Sequence, residues 1–466
     1  MNKRSFLLFL ALFLLLTACT PAAQPETEPT PSPAPTAEAS APASPEASLG
    51  PELPKRDQEW VEDIEYLREE YKVRHLDPFY RCTEEEFDWK LDQLIGKVGE
   101  LSDSDIFYEL EAIITGTMGD THTRLWWDGP LPLCDRIFAV NFFPQNGKLY
   151  LLNYLEGCDQ FEPYLLHEIV GVNGVHSLYL MQRAAELYAP FNWHTTTEFP
   201  EYPSFFDWVG CDYKEGYTFQ ILNDNQEVES VEVPVITLEE GQTGSWIYPE
   251  NWDSLVYVKG GDRTAYYEGP DGGCVQWCMG ELWYPSTIQR YLTQAAGLME
   301  EHPGCGKLVI DLRKCPGGRA DSLPLLEVIR ENAQLLEGKQ IYVAIGGTTS
   351  SAAVRMIAFF KDEFGAVTVG EPTGEFSSFF SRSEERENTA LVLPNSRVKV
   401  KIADRWRDST ELLQELDIAP IYEEYCDEDG RLYKWETCIQ PDVYIHREIE
   451  DIRQGRDSVL EWVLAQ

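Results

Sequence analysis

Residues 341–360 read IYVAIGGTTSSAAVRMIAFF. An unbroken apolar run, IYVAI, has the character of a strand covered on both faces. Gly346-Gly347 break it, and a helix begins at the two alanines that follow Ser351. Four hydroxyl residues, Thr348, Thr349, Ser350 and Ser351, crowd the mouth of that helix. A helix needs one N-cap oxygen to satisfy a free backbone N–H. The surplus admits a second reading, a nucleophilic serine placed where the helix dipole favours negative charge.

The same rhythm extends in both directions. CVQWCMG, KLVIDLR, IYVAIGG, AVTVGE, TALVLP and RVKVKI read as strands, and helices are expected at 285–301, 320–333 and 351–364 between the first four. Strand and helix in alternation predict an α/β layer, helices packed on a sheet. After KLVIDLR comes Pro316-Gly317-Gly318; two glycines past a strand expose backbone N–H groups with no Cβ in the way, which suits an oxyanion hole and equally a tight turn. Cys274 and Cys278 share one strand face roughly 13 Å apart at about 3.3 Å per residue, so they are expected as buried thiols rather than a bonded pair or a metal site.

Upstream, the periodicity changes twice. Residues 134–252 are strand-rich: RIFAVNFF and KLYLLNYL flank Asn146-Gly147, a hairpin signal, and YTFQILNDNQEVESVEVP is a second hairpin. HEIVGVNGVHSLYLMQRAAELY reads as strand, tight turn and short helix, an order that resembles a PDZ module; a β-rich accessory subdomain is the other reading. Residues 55–133 begin as helices, with Trp60, Ile64, Leu67 and Tyr71 on one stripe, Phe87, Leu91, Leu94, Ile95 and Val98 on the next, and Ile106, Leu110, Ile113, Ile114 and Met118 on a third. Gly119 is the expected helix stop, and a short strand, TRLWW, follows. The organisation expected is therefore a helical region at 55–133, the β-rich region at 134–252 and the α/β core at 253–466.

The first twenty residues, MNKRSFLLFLALFLLLTACT, set Lys3 and Arg4 before an apolar stretch from Phe6 to Leu16, too short for a comfortable membrane span. Leu16-Thr17-Ala18-Cys19 resembles the lipobox of bacterial lipoproteins, which implies cleavage after residue 18 and a diacylglycerol on Cys19. Residues 20–54 are Pro, Ala, Ser, Thr and Glu with almost no bulky apolar residue, the composition of a disordered tether. The reading is thus a signal peptide at 1–18 and a lipidated tether at 19–54 that holds the rest at an extracytoplasmic membrane surface. Export would permit disulfides among the ten cysteines after Cys19, but no pairing is legible. With 79 acidic and 38 basic residues the chain carries −41, which argues against a nucleic-acid partner.

Taken in order, these elements resemble the tail-specific, or C-terminal-processing, serine peptidases, and within them the branch with tricorn-core and retinoid-binding-protein-like domains. The carrying residues are Asp120–Thr123 (DTHT), Asp311–Gly318 (DLRKCPGG), Ser350-Ser351-Ala352, Gly370–Gly374 (GEPTG), Leu393–Val400 (LPNSRVKV) and Pro441-Asp442. The match spans roughly residues 57 to 445. It implies a crotonase-like α/β core, a polypeptide substrate, and no metal or other cofactor. It implies Ser351 as nucleophile, with the N–H groups of Ala352 and of Gly317 or Gly318 binding the oxyanion.

The base departs from one branch and fits the other. The processing peptidases carry a lysine shortly after GEPT; here that position is Phe376, preceded by Glu375. Lys361 lies several turns down the helix from Ser351 and does not substitute. The tricorn-like branch uses a histidine, and His122 holds the matching position. Asp120, Glu371 and the acidic residues around Asp404 and Asp408 are candidates to orient it. Cys315 replaces the usual asparagine and is expected as a packed thiol.

Three function classes follow. The first is a surface-anchored serine endopeptidase acting on extracytoplasmic polypeptides. The second is a degenerate peptidase fold that binds peptides or an apolar ligand. The third, a solute-binding lipoprotein, requires two similar α/β lobes about a hinge.

Overall fold

The computed structural model describes residues 53–75, 78–79, 82–118, 122–126, 135–187, 199–211, 216–252, 255, 261–318, 323–374, 379–380, 391–403, 405–406 and 439–466. The leader, Cys19, the tether as far as residue 52, Gly119, Asp120, Glu375, Phe376, Asp404 and Asp408 lie outside them.

Three helices open the described chain: α1 (Lys55–Arg74), α2 (Glu84–Ile95) and α3 (Asp103–Met118). Thr83 starts α2 through a capping box, its hydroxyl accepting the Glu86 N–H while the Glu86 carboxylate accepts the Thr83 N–H. The stripes foreseen on these helices meet: Trp60, Ile64, Leu67 and Tyr71 are buried with Phe87, Leu91, Leu94, Ile106, Leu110 and Ile114. Onto them packs a small antiparallel sheet made by β1 (Arg124–Trp126) and a hairpin of Leu391–Val392 with Lys399–Lys401.

That hairpin corrects one expectation. TALVLP and RVKVKI form strands, but not in the α/β sheet; Val400 pairs with Leu125 and Leu391, and Leu393 and Val398 join the helical core. The cause is the turn. Asp63 of α1, wholly buried, accepts the N–H groups of Asn395 and Ser396 at 2.8 and 2.7 Å, so the LPNS element is docked on α1.

The strand-rich region begins with an antiparallel pair, β2 (Val140–Gln145) and β3 (Lys148–Leu155). Asn146 and Gly147 join them at φ 53° and 71°, the left-handed pair a two-residue hairpin demands. β4 (Glu168–Val172), β5 (Tyr217–Leu222) and β6 (Val228–Val233) continue the sheet, and α4 (Ser177–Leu187) covers it. Its core is aromatic, with Phe138, Phe142, Phe205, Phe206, Tyr217 and Phe219 in mutual edge and stacked contact.

The α/β core is a sheet of six strands among the described residues: β7 (Arg263–Tyr267), β8 (Cys274–Cys278), β9 (Lys307–Asp311), β10 (Gln340–Ile345), β11 (Val367–Gly370) and a last strand, β12 (Val443–Tyr444). They lie side by side in chain order, all parallel except the edge strand β7, which the sequence reading did not foresee. β8 and β9 are buried at every residue, as strands covered on both faces must be. Cys274 and Cys278 are among those residues, and both are free thiols.

Three crossover helices, α5 (Pro285–Glu301), α6 (Leu323–Glu331) and α7 (Ala352–Phe364), connect the parallel strands. Among the described residues, one α/β sheet preceded by helices and a β-rich region is not the two-lobed plan that the solute-binding reading required. The parallel order brings the carboxyl ends of β9, β10 and β11 to one rim, where open α/β sheets place their sites.

Candidate active site

β9 ends on Asp311, and the next turns are held by charge. The Arg313 guanidinium grips Asp311 and, with both Nη atoms at 2.8 and 2.7 Å, the carboxylate of Asp457. Gln276 Nε2 donates to Asp311 Oδ2 at 2.8 Å. Asp457 also caps the last helix, accepting the Leu460 N–H. Arg313 is buried and its pKa still stands well above the ordinary arginine value: desolvation opposes the charge, and the two carboxylates outweigh it.

The glycine pair lies just beyond. Gly317 has φ 93°, and a Cβ there would sit 2.8 Å from Ala352 N, Ser350 O and Ser351 Cβ. A Cβ on Gly318 would lie 2.6 Å from the Leu282 carbonyl. The Leu282 N–H donates to the Gly317 carbonyl at 2.8 Å, fixing the loop against the chain after β8. Both positions need glycine because other backbone passes within contact distance.

The hydroxyls at the mouth of α7 now separate into roles. Thr349, fully buried, donates to the Leu312 carbonyl at 2.8 Å and accepts the Gly346 N–H at 3.0 Å, tying the end of β10 to the end of β9. Ser350 Oγ donates to the Pro316 carbonyl at 3.0 Å. Ser351 is the N-cap of α7, yet its side chain makes no capping bond, and its backbone sits at φ 52°, ψ −117°. A non-glycine residue at positive φ is a strained conformation, of order 1–3 kcal/mol, that its surroundings must impose. The strain turns Oγ away from the helix N–H groups. It faces His122 instead, with Ser351 Oγ and His122 Nε2 3.4 Å apart.

His122 lies in the turn between α3 and β1. Thr123 Oγ1, one residue on, accepts the Ala403 N–H at 3.2 Å. The Leu125 N–H is taken by the carboxyl group of Glu111 on α3. The site thus draws on the helical region for its imidazole and on the α/β core for its hydroxyl, 229 residues apart in sequence.

The other candidates fall elsewhere. Glu371 accepts His446 Nδ1 at 3.1 Å and the Arg447 N–H at 3.2 Å. Burial works to raise its pKa, but these donors more than offset it and the carboxyl stays below its ordinary value. His446 is raised, first by its hydrogen bond to Glu371. Asp120 and Phe376 are outside the described residues. Lys361 Nζ is held by both oxygens of Asp442, at 2.8 and 2.6 Å, and Asp442 also takes the N–H and hydroxyl of Thr368. The Pro-Asp element is therefore a clamp between α7 and β11. The Cys315 thiol is wholly buried and pushed up to about 12 by that burial, against a backbone hydrogen bond from Gly317, so it is a packed thiol and no nucleophile.

The Glu371–His446 pair has a pH window. The carboxylate's contribution is present above the ordinary value of 4.5 and fades as pH falls through its lowered folded value. The imidazolium's is full below the ordinary 6.5 and is lost as pH rises through its raised folded value. His446→Ala is expected to cost under about 1 kcal/mol, because the pair is partly exposed and screened. The loss should be largest between those two values and smaller on either side. Urea midpoints of wild type and variant across pH 4 to 9 check this; a pH-independent difference would remove the ion pair from the account.

Sequence reasoning missed Asp457 and Glu111, and it named Thr349 among the hydroxyls of the helix mouth without its partner, the Leu312 carbonyl. Asp457 acts through distant partners that no local pattern discloses. Glu111 left a faint mark, a carboxyl beside the apolar stripe of α3.

No family model matches the chain, and no curated protein does. Solved structures do. Mature CPAF complexed with lactacystin is 11% identical over 88% of this chain and 97% of that chain, with a TM-score of 0.52. The photosystem II D1 C-terminal processing protease is 11% identical over 87% and 99%, with a TM-score of 0.36. The tricorn protease is 10% identical over 87% of this chain and 36% of its own, with a TM-score of 0.37. The first alignment shows a common fold across nearly the whole of both chains, and the fold is the one that the tail-specific peptidase resemblance implies.

Proposed function

We propose that this chain is a serine endopeptidase that hydrolyses peptide bonds of extracytoplasmic polypeptides, with Ser351 as nucleophile and His122 as base. The observation that carries the reading is the 3.4 Å approach of His122 Nε2 to Ser351 Oγ at the N-terminus of α7. That gap is long for a formed bond and within the slack of an unliganded site.

In the reaction, His122 Nε2 takes the hydroxyl proton as Oγ attacks the scissile carbonyl. The Ala352 N–H, first in its helix and without an intrahelical acceptor, binds the developing oxyanion. The N–H of Gly317 or Gly318 supplies the second donor. Imidazolium then protonates the leaving amine, and water attacks the acyl-enzyme by the same path in reverse. A fluorophosphonate probe tests this: it is expected to label the purified protein at Ser351 alone. A folded protein that stays unlabelled would favour the degenerate, peptide-binding reading.

Anchoring belongs to the same proposal. Lipidation of Cys19 would hold the peptidase at the outer face of the bacterial cell membrane through the 20–54 tether. Cys19→Ala is expected to abolish incorporation of labelled palmitate and to leave the protein unprocessed or released. Wild-type protein that never takes up the fatty acid sinks the lipoprotein assignment.

A further inference from the structure

The buried face of α3 carries polar groups that this chemistry does not use. Glu111 is 6% exposed and Thr115, one turn further on the same face, is 3% exposed. The Thr115 hydroxyl has no hydrogen-bond partner. Glu111 Oε2 accepts the Leu125 N–H, and the Arg124 guanidinium acts on it through space. Burial drives the carboxyl up to about 8, with that N–H and Arg124 only partly opposing. At neutral pH it is mostly a neutral acid.

A buried carboxyl is costly even when hydrogen-bonded, and Leu110, Ile113 and Ile114 show that α3 fills its surroundings with aliphatic side chains. Something other than packing favours a polar group here. The geometry supplies it. β1 has three residues, Arg124 to Trp126, and His122 enters two positions before it. Thr123 is tied to Ala403 on one side, and Leu125 to Glu111 on the other. Both bonds lie just past His122, where the chain passes from its turn into β1, and so they anchor the imidazole's backbone from its C-terminal side.

We propose that Glu111 is a positioning residue for His122: by holding the Leu125 N–H it fixes the turn that presents Nε2 to Ser351. The consequence for catalysis rests on the peptidase reading; the positioning itself does not.

The test uses the full-length protein with Glu111→Gln, whose amide oxygen still accepts the N–H, and Glu111→Leu, which cannot. Two readouts run together: the rate of fluorophosphonate labelling per folded molecule, and the ring resonances of His122 in protein with 15N-labelled histidine, assigned through His122→Gln. Glu111→Leu should shift the His122 resonances and slow labelling about 10- to 100-fold, the effect of misplacing a catalytic group by about 1 Å. Glu111→Gln should restore both. If Glu111→Leu does not fold, an ester in place of the Leu125 amide deletes that donor alone and should reproduce the shift. Unchanged His122 resonances in the leucine or ester variant overturn the proposal, since a merely structural Glu111 would lower stability and leave the ring where it is. A wild type that never labels overturns the peptidase reading instead, while the resonances still decide the positioning.

Discussion

Ser351→Ala is expected to abolish fluorophosphonate labelling and leave the fold intact. The hydroxyl makes no capping bond, so its removal forfeits none of the roughly 1 kcal/mol that a working N-cap contributes. Alanine also tolerates a helix start, although the positive φ at position 351 remains a strain for it. The loss of reactivity should be complete, because an alcohol is nucleophilic near neutral pH only where a base and an oxyanion site act on it. His122→Ala should slow labelling by at least about a thousandfold, the scale on which members of such a unit fail singly. Ser350→Ala should change the rate little, since Ser350 Oγ is spent on the Pro316 carbonyl. Intact-mass spectrometry with peptide mapping reads all three. Label that survives Ser351→Ala would end the site assignment, and equal loss from Ser350→Ala would show that the loop, and not one hydroxyl, had been disturbed.

The elements of this fold were legible where burial writes a pattern. IYVAI and KLVID are uninterrupted because both faces are covered, and the helices between them show their period. The sheet to which a strand belongs leaves no such trace. LVLP and VKV look like core strands, and only the docking of their turn on Asp63 sends them to the helical layer. The edge strand at 263–267 alternates too weakly, with every residue half-covered or exposed, for a period to register. The site divides in the same way. Local chemistry pointed to the hydroxyls at α7 and to the glycine pair. It could not bring His122 to them, because two points 229 residues apart meet only through the packing of a helical layer on an α/β sheet. That pairing came from the resemblance, and Glu111, which holds the Leu125 N–H, came from neither.

Arg313→Met should be the most destabilising single change outside the cores, by about 3–5 kcal/mol, the cost of stranding one side of a buried ion cluster. Methionine keeps much of the aliphatic stem, so packing accounts for little of that loss. What it strands is two carboxylates, Asp311 and Asp457, which share this guanidinium on the inside of the protein. Asp457→Asn should cost less, because Asp311 still neutralises the arginine and an amide oxygen can still cap the last helix. The damage should also reach the site. Arg313 follows directly on Leu312, whose carbonyl receives Thr349, and the glycine pair lies four residues further on. Loosening that corner frees the end of β10 and the oxyanion loop together, so labelling at Ser351 should slow even at temperatures where Arg313→Met remains folded. Urea midpoints combined with labelling rates measure both effects. A midpoint equal to wild type would mean that water reaches the cluster and screens it. A destabilised variant that labels at the wild-type rate would mean that Thr349 holds the ends of β9 and β10 without help from the ion cluster beneath them.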